Sequence, residues 1–157
     1  MSKEGLPHIN ANGRNRKICV VASQWYSKVT DALADNAVQA LQEAGAQVKL
    51  VRVPGTFELP VACARLADPV DGWAGVDGFV ALGVVVRGGT PHFDYVCQGA
   101  TQGLMDVMVA TRKPIGFGVL TCNDEAEAID RAGLPGSTEN KGREAALAVL
   151  AVLDATE

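Results

Sequence analysis

The sequence predicts an α/β fold, a three-layer sandwich in which helices cover both faces of a central, mainly parallel sheet of four strands. Three observations carry that expectation. Four short apolar runs, 17–23, 47–53, 79–86 and 114–121, alternate with segments of helical periodicity. The third run, Phe79-Val80-Ala81-Leu82-Gly83-Val84-Val85-Val86, carries no charge, as a strand buried on both faces of a parallel sheet reads. Glycines and prolines punctuate the joints, at Gly45, Pro54-Gly55 and Gly88-Gly89.

Each element follows from its own pattern. KICVVAS at 17–23 is a β-rich first strand. After Trp25-Tyr26, a helix is expected from 27 to about 44, with Val29, Leu33, Ala37, Ala40, Leu41 and Ala44 as its buried stripe. Gly45 stops it, and the alternating QVKLVRV at 47–53 forms a second strand that ends at Pro54-Gly55. A shorter helix is expected from 57 or 59 to 66, and 68–77 reads as a surface connection to the apolar third strand. Thr90 is expected as the N-cap of the next helix, 93–110, with Pro91 at its first position. That helix presents Val96, Cys97, Ala100, Leu104, Val107 and Met108 on its apolar face. PIGFGVLT at 114–121 is the fourth strand. Asn123 is expected to cap a helix with Asp124, Glu125 and Glu127 in its first turns, ending at Arg131-Ala132-Gly133. A polar turn, 134–140, leads to a final helix from 141 to 155. That helix is apolar around its whole circumference over 145–153, so either another subunit or neighbouring elements of the same chain must cover its remaining face.

Composition bounds the function. The 157 residues, 48% hydrophobic and 20% charged, suit one domain over 17–157 behind an N-terminal segment, 1–16. Fourteen Lys and Arg against 18 Asp and Glu give a net charge of -4 with no basic run, which argues against nucleic acid or an acidic membrane surface. Cys19, Cys63, Cys97 and Cys122 are widely spaced and read as small buried residues in a reducing cytosol. With His8 and His92 the only histidines, a histidine-based metal site is not expected. The polar first sixteen residues do not form a signal peptide, and no stretch reaches the roughly 20 apolar residues of a membrane span. A cytoplasmic protein is expected.

The chemistry gathers at strand ends, because in an open parallel sheet ligands bind outside the carboxyl edge. Arg87-Gly88-Gly89-Thr90-Pro91-His92 joins the third strand to a helix and can offer backbone N–H groups, the Thr90 hydroxyl and a helix amino end to a phosphate. An ordinary glycine turn is the plainer reading, and His92 tips the balance. An imidazole ordinarily titrates near 6.5, so one at this junction suits proton transfer, while a capping histidine remains the alternative. Trp25 follows the first strand, Thr56-Phe57-Glu58 follows the second, and Phe117 lies within the fourth. Aromatic faces beside a carboxylate suit a planar, polar heterocycle, although a single Trp or Phe is more often core. Arg131 and Lys141 are candidates for anion contacts; an Arg at a helix end commonly only favours the dipole, and Arg87 can simply brace the turn.

These residues lie in motifs that resemble the lumazine synthase family of riboflavin biosynthesis. Val53-Pro54-Gly55-Thr56-Phe57-Glu58-Leu59-Pro60 is similar to the family's second-strand signature, and Ala81-Leu82-Gly83-Val84-Val85-Val86-Arg87-Gly88-Gly89-Thr90-Pro91-His92-Phe93-Asp94-Tyr95-Val96 to its central one. Gly116-Phe117-Gly118-Val119-Leu120-Thr121, Asp130-Arg131-Ala132-Gly133 and Asn140-Lys141-Gly142 follow in the family's order. The resemblance covers the chain from Lys17 onward and implies a flavodoxin-like fold. It implies condensation of 5-amino-6-(D-ribitylamino)uracil with 3,4-dihydroxy-2-butanone 4-phosphate to a lumazine, phosphate and water, with no cofactor and no metal.

By that resemblance Trp25 stacks on the pyrimidine, Thr56, Phe57, Glu58, Val84, Val85 and Val86 hold its polar edge and ribityl chain, and Gly89 and Thr90 receive the phosphate. His92 is the implied proton-transfer residue. Phe117, Arg131 and Lys141 would come from an adjacent subunit of a homo-oligomer, Arg131 toward the phosphate. Leu6 to Ile9 would add an edge strand to a neighbour's sheet; otherwise 1–16 is flexible. The chain departs from the family in small ways: Trp25 stands where many members have Phe, Thr56 where the residue is often small, and Gly89 where some have Gln or Glu. The turn 134–139 is longer than in members resembling icosahedral shells and implies a pentamer. Two rivals remain, a non-catalytic module holding a flavin or lumazine on the same strand ends, and a catalytically silent assembly protein.

Overall fold

The computed structural model describes residues 5, 7–68, 73 and 75–157. Along the chain lie β1 (Lys17–Ser23), α1 (Ser27–Glu43), β2 (Gln47–Val53), a 3-10 turn (Thr56–Glu58), α2 (Leu59–Ala67), β3 (Gly78–Val86), α3 (His92–Thr111), β4 (Ile115–Cys122), α4 (Glu125–Asp130) and α5 (Lys141–Ala155). The four strands form one sheet in the order β2-β1-β3-β4 with every neighbouring pair parallel. Helices cover both faces, giving the three-layer sandwich that the alternation of strand and helix patterns predicts.

The two-residue period of a strand sorts the core. Ile18, Val20 and Ala22 with Val80, Leu82 and Leu120 face α1 and α5, whereas Cys19, Val21, Phe79, Ala81 and Val119 face α2 and α3. On α1 the stripe Val29, Leu33, Ala37, Ala40 and Leu41 is buried together with Thr30 and Ala34; each fully buried Val or Leu contributes about 1.5–3 kcal/mol. The end of α1 is set by Gly45 at φ 91, a left-handed geometry that favours glycine. Gly116 and Gly118 let α5 lie close on β4, since a Cβ on Gly116 would drive into the Ala145 carbonyl oxygen.

Two expected caps are displaced by one residue. Thr90 does not cap α3: Pro91 is the N-cap, at φ -62 and ψ -5, and no side chain bonds the helix's first N–H groups. Pro91 already has helix-like dihedrals, so the helix begins at His92 and Thr90 lies outside reach of a cap. On α4 the cap is Asp124, whose carboxylate accepts from the Glu127 N–H at 2.9 Å, rather than Asn123. Asn123 is occupied by Glu127 instead, its backbone N–H donating to Oε2 at 2.8 Å. The covering of α5 is divided. Ala145, Ala146, Val149 and Leu150 are buried within the chain, but Ala148, Val152 and Leu153 line an open groove of about 420 Å³ with Met108, Ile115 and Phe117.

Leu6 of the expected edge strand lies outside the described residues, and Pro7 to Ile9 have no regular structure in this single chain. Part of the connection expected over 68–77 lies outside them as well. No helix among the described residues is long and apolar enough to cross a membrane.

Candidate active site

The carboxyl edge of β2, β1 and β3 brings three loops together. Past β1, Trp25 is 66% exposed and is followed by Tyr26 in left-handed geometry, φ 55 and ψ 57, a conformation that costs a non-glycine residue about 1–2 kcal/mol. The loops are stitched where the Gln24 N–H donates to the Pro54 carbonyl at 3.3 Å. Gly55 then fits between two site residues: a Cβ there would lie 2.9 Å from Glu58 Oε2 and 3.7 Å from the Trp25 indole. Trp25 and Glu58 therefore both lie close over Gly55, an aromatic face beside a carboxylate.

Thr56 is buried and its hydroxyl donates to the Val84 carbonyl at 3.3 Å, directly above Gly83. The side chain thus fastens the 3-10 turn to β3, and only the Thr56 backbone is left for a ligand. Phe57 is 60% exposed with its ring edge over Gly99 of α3. Val84 is buried, while Val85 and Val86 are half-buried at the strand's end.

The glycine turn is open. Neither Gly88 nor Gly89 has a positive φ, and nothing lies within 4 Å of a Cβ built on either, so their use is to bare the backbone rather than to turn it. Thr90 and His92 are exposed, and the amino end of α3 has no side-chain cap. Arg87 braces the turn: its guanidinium lies 4.2 Å over the Phe93 ring, 3.5 Å from Asp94, and donates to Asn123 Oδ1 at 3.3 Å. Bare backbone, an uncapped helix start and an exposed imidazole thus lie side by side, an arrangement that favours anions.

The remaining candidates are not gathered there by this chain. Phe117, 50% exposed on the edge strand, pairs with Ala81 and so lies five residues before the level of Val86, roughly 16 Å at about 3.3 Å per residue. Arg131 and Lys141 belong to a hairpin closed by the Ala132–Asn140 bridge and by the Lys141 N–H donating to the Arg131 carbonyl at 3.0 Å. That hairpin packs on the α1 and α5 face, whereas His92 opens α3 on the other. The Arg131 guanidinium donates to the Glu127 carbonyl at 2.8 Å, and Lys141 Nζ lies 2.5 Å from Glu139 and 2.7 Å from Glu144.

Sequence reasoning missed Glu139 and Ser23, and the contact that Asn123 makes with Arg87. Glu139 holds Lys141, Asn123 joins Arg87 to α4, and Ser23, at the end of β1, is fully buried with no hydrogen-bond partner for its hydroxyl among the described residues. None carries a sequence signal, because each depends on where a neighbouring turn returns. The cysteines offer no nucleophile: burial pushes the Cys19 thiol up to about 11 and the Cys63 thiol up to about 12, and it raises Cys97 and Cys122 as well.

The family model for 6,7-dimethyl-8-ribityllumazine synthase matches residues 15–157, which include every one of these positions. The chain belongs to the 6,7-dimethyl-8-ribityllumazine synthase family. It is 55% identical to the 6,7-dimethyl-8-ribityllumazine synthase of Paenarthrobacter aurescens over 96% of this chain and 94% of that one. It is 56% identical to the enzyme of that name from Cutibacterium acnes, over 92% and 84% of the two chains, and 54% to that of Streptomyces coelicolor, over 96% and 92%. In this lumazine synthase family scaffold, the Trp25 and Glu58 loops, the glycine turn and His92 all lie at the carboxyl edge of neighbouring strands. Phe117, Arg131 and Lys141 make a second group at a different part of the subunit surface.

Proposed function

We infer that this chain catalyses the condensation of 5-amino-6-(D-ribitylamino)uracil with 3,4-dihydroxy-2-butanone 4-phosphate to 6,7-dimethyl-8-ribityllumazine, with release of phosphate and water, the penultimate step of riboflavin biosynthesis. The observation that carries the reading is one continuous rim. Trp25 and Glu58 meet over Gly55, an aromatic face beside a carboxylate that suits a polar heterocycle, and His92 opens an uncapped helix behind bare Gly88 and Gly89.

In this reading Trp25 stacks on the pyrimidine, Phe57 and Glu58 with the Thr56 backbone hold its polar side, and Val84, Val85 and Val86 border the ribityl chain. Gly89 and Thr90 take the phosphate, and His92 transfers protons as the amine adds to the ketone, phosphate leaves and the ring closes with loss of water. Every step is a proton transfer, an addition or an elimination, so positioning and one imidazole suffice. No metal or cofactor is required by that chemistry. Phe117, Lys141 and Arg131 serve the site of an adjacent subunit, Arg131 binding phosphate through charge-assisted bonds worth about 1.5–3 kcal/mol each. Two facts support sharing: Phe117 lies far below the carboxyl edge of its own sheet, and the groove beside it leaves Val152 exposed.

Assembly follows as a homopentamer, favoured by the long turn 134–139, with the N-terminal segment docking on a neighbour, in the cytoplasm. Purified protein given both substrates should form the lumazine, read by its fluorescence, well above the uncatalysed rate. A bound yellow flavin with no rate above background would favour a carrier and overturn the enzymatic reading.

A further inference from the structure

We propose that Glu139 is a positioning residue for catalysis: paired with the Lys141 ammonium, it holds that lysine toward the aminouracil while moderating the positive field that the phosphate meets. The inference rests on the reading that both cations serve a substrate site.

Its geometry starts from the backbone. Because the Lys141 N–H bonds the Arg131 carbonyl, two cationic residues leave adjacent points of one hairpin. Like charges so placed repel, and that repulsion grows where water is scarce. The long turn returns a carboxylate to this point. Glu139 is 13% exposed in its side chain and lies 2.5 Å from the Lys141 ammonium, itself 23% exposed. Glu144, one turn into α5, accepts a hydrogen bond from the same ammonium at 2.7 Å. One hydrogen bond and one ion pair restrict the lysine's head group, and its three donors leave it hydrogen-bonding capacity for a ligand.

The turn carrying Glu139 is itself held at several points. The Thr138 N–H and hydroxyl bond the two Asp130 carboxylate oxygens at 2.9 and 2.6 Å, and the Ser137 hydroxyl donates to the Ile129 carbonyl at 2.5 Å. The Glu139 N–H donates to the Asp130 carbonyl at 3.0 Å, and its own carbonyl accepts from Gly133. Glu139 is thus a placed group rather than a solvated one. Its hydrogen bond from Lys141 holds the carboxyl below the ordinary carboxylate range, with Lys141 and Arg131 both adding attraction. Lys141 thus lies between two carboxylates, those of Glu139 and Glu144.

Removing only the charge separates this role from a scaffolding one. Glu139→Gln keeps the shape and frees Lys141 from one fixed acceptor while unmasking Arg131. The expected result in the assembled enzyme is a KM for the aminouracil raised about three- to tenfold, with inhibition by inorganic phosphate unchanged or tighter. Glu139→Asp, which keeps the charge on a shorter stem, should recover part of the aminouracil affinity. Parallel weakening of both ligands, or no change in either, would overturn the proposal. Lys141→Ala tells the two readings apart. If it leaves the aminouracil KM unchanged, the lysine's substrate contact is wrong and the proposal falls with it; if it raises that KM while Glu139→Gln does not, the proposal alone falls.

Discussion

His92 stands at the first position of α3, exposed, beside a backbone stripped of side chains at Gly88 and Gly89. An imidazole so placed can shuttle protons, but most of the work of joining two substrates is positioning, which the rest of the rim performs. His92→Ala should therefore slow turnover by about a hundredfold without abolishing it. Stopped-flow measurement of lumazine formation on the assembled variant checks this, and a complete loss would show that the imidazole does more than move protons. The place of His92 at a strand end was legible in the sequence, because it follows an apolar run and paired glycines; its proposed role came from the resemblance. Thr56 was only half legible: its place after β2 was clear, but its hydroxyl turns inward to the Val84 carbonyl over Gly83, a contact made by two strands far apart in sequence.

At the scale of elements, Gly116 and Gly118 set how closely α5 approaches β4. A Cβ on Gly116 meets backbone, which cannot give way, so Gly116→Ala should cost about 1–3 kcal/mol and lower the urea midpoint, whereas Gly88→Ala, facing open space, should leave it unchanged. Equal midpoints for both variants would contradict the packing account. The hairpin from Arg131 to Lys141 adds a pH dependence. Glu139 is held below its ordinary range chiefly by the hydrogen bond from Lys141, so its contribution is present above the unfolded value of about 4.3 and is lost as pH falls through the lower folded one. For Lys141, burial opposes the charge, but the bonds to Glu139 and Glu144 outweigh it and raise the pKa; that contribution is fully present below about 10.4 and is lost as pH rises through the raised value. Hydrogen-exchange protection of the Gly133 and Lys141 amides should hold between about pH 5 and 10 and weaken in more acidic solution. Protection that persists unchanged in acid would remove the ion pair from the hairpin's stability.

The sequence made these elements readable through their periods, 3.6 for α1 and uninterrupted burial for β3, since such patterns are summed over many residues. Their ends were less readable. Thr90 and Pro91 compete for one capping position, as do Asn123 and Asp124, and a single hydrogen bond decides each case. Glu139 was invisible because the path of 134–140 depends on Asp130 and Ser137, not on any local pattern.

For the whole molecule, the proposed site draws on two separate surfaces of one chain: the strand edge with Trp25, Glu58 and His92, and the group with Phe117, Arg131 and Lys141 elsewhere on the subunit. A closed ring of identical subunits would join the first surface of each to the second of the next. Sedimentation should accordingly give a mass of five chains, and sixty would contradict the reading of the long turn. The family and the reaction were legible because the motifs lie at the strand ends; the sharing of sites was implied only by the resemblance, because a periodic pattern says nothing of which copy contributes a residue. Subunit complementation tests that division most directly. His92→Ala and Arg131→Ala chains are co-expressed and the mixed oligomer is assayed for lumazine formation. If sites are shared, random mixing rebuilds about a quarter of them with both residues intact, and activity rises above that of either parent. Activity no greater than the mean of the two parents would place His92 and Arg131 in the same subunit's site and contradict the account.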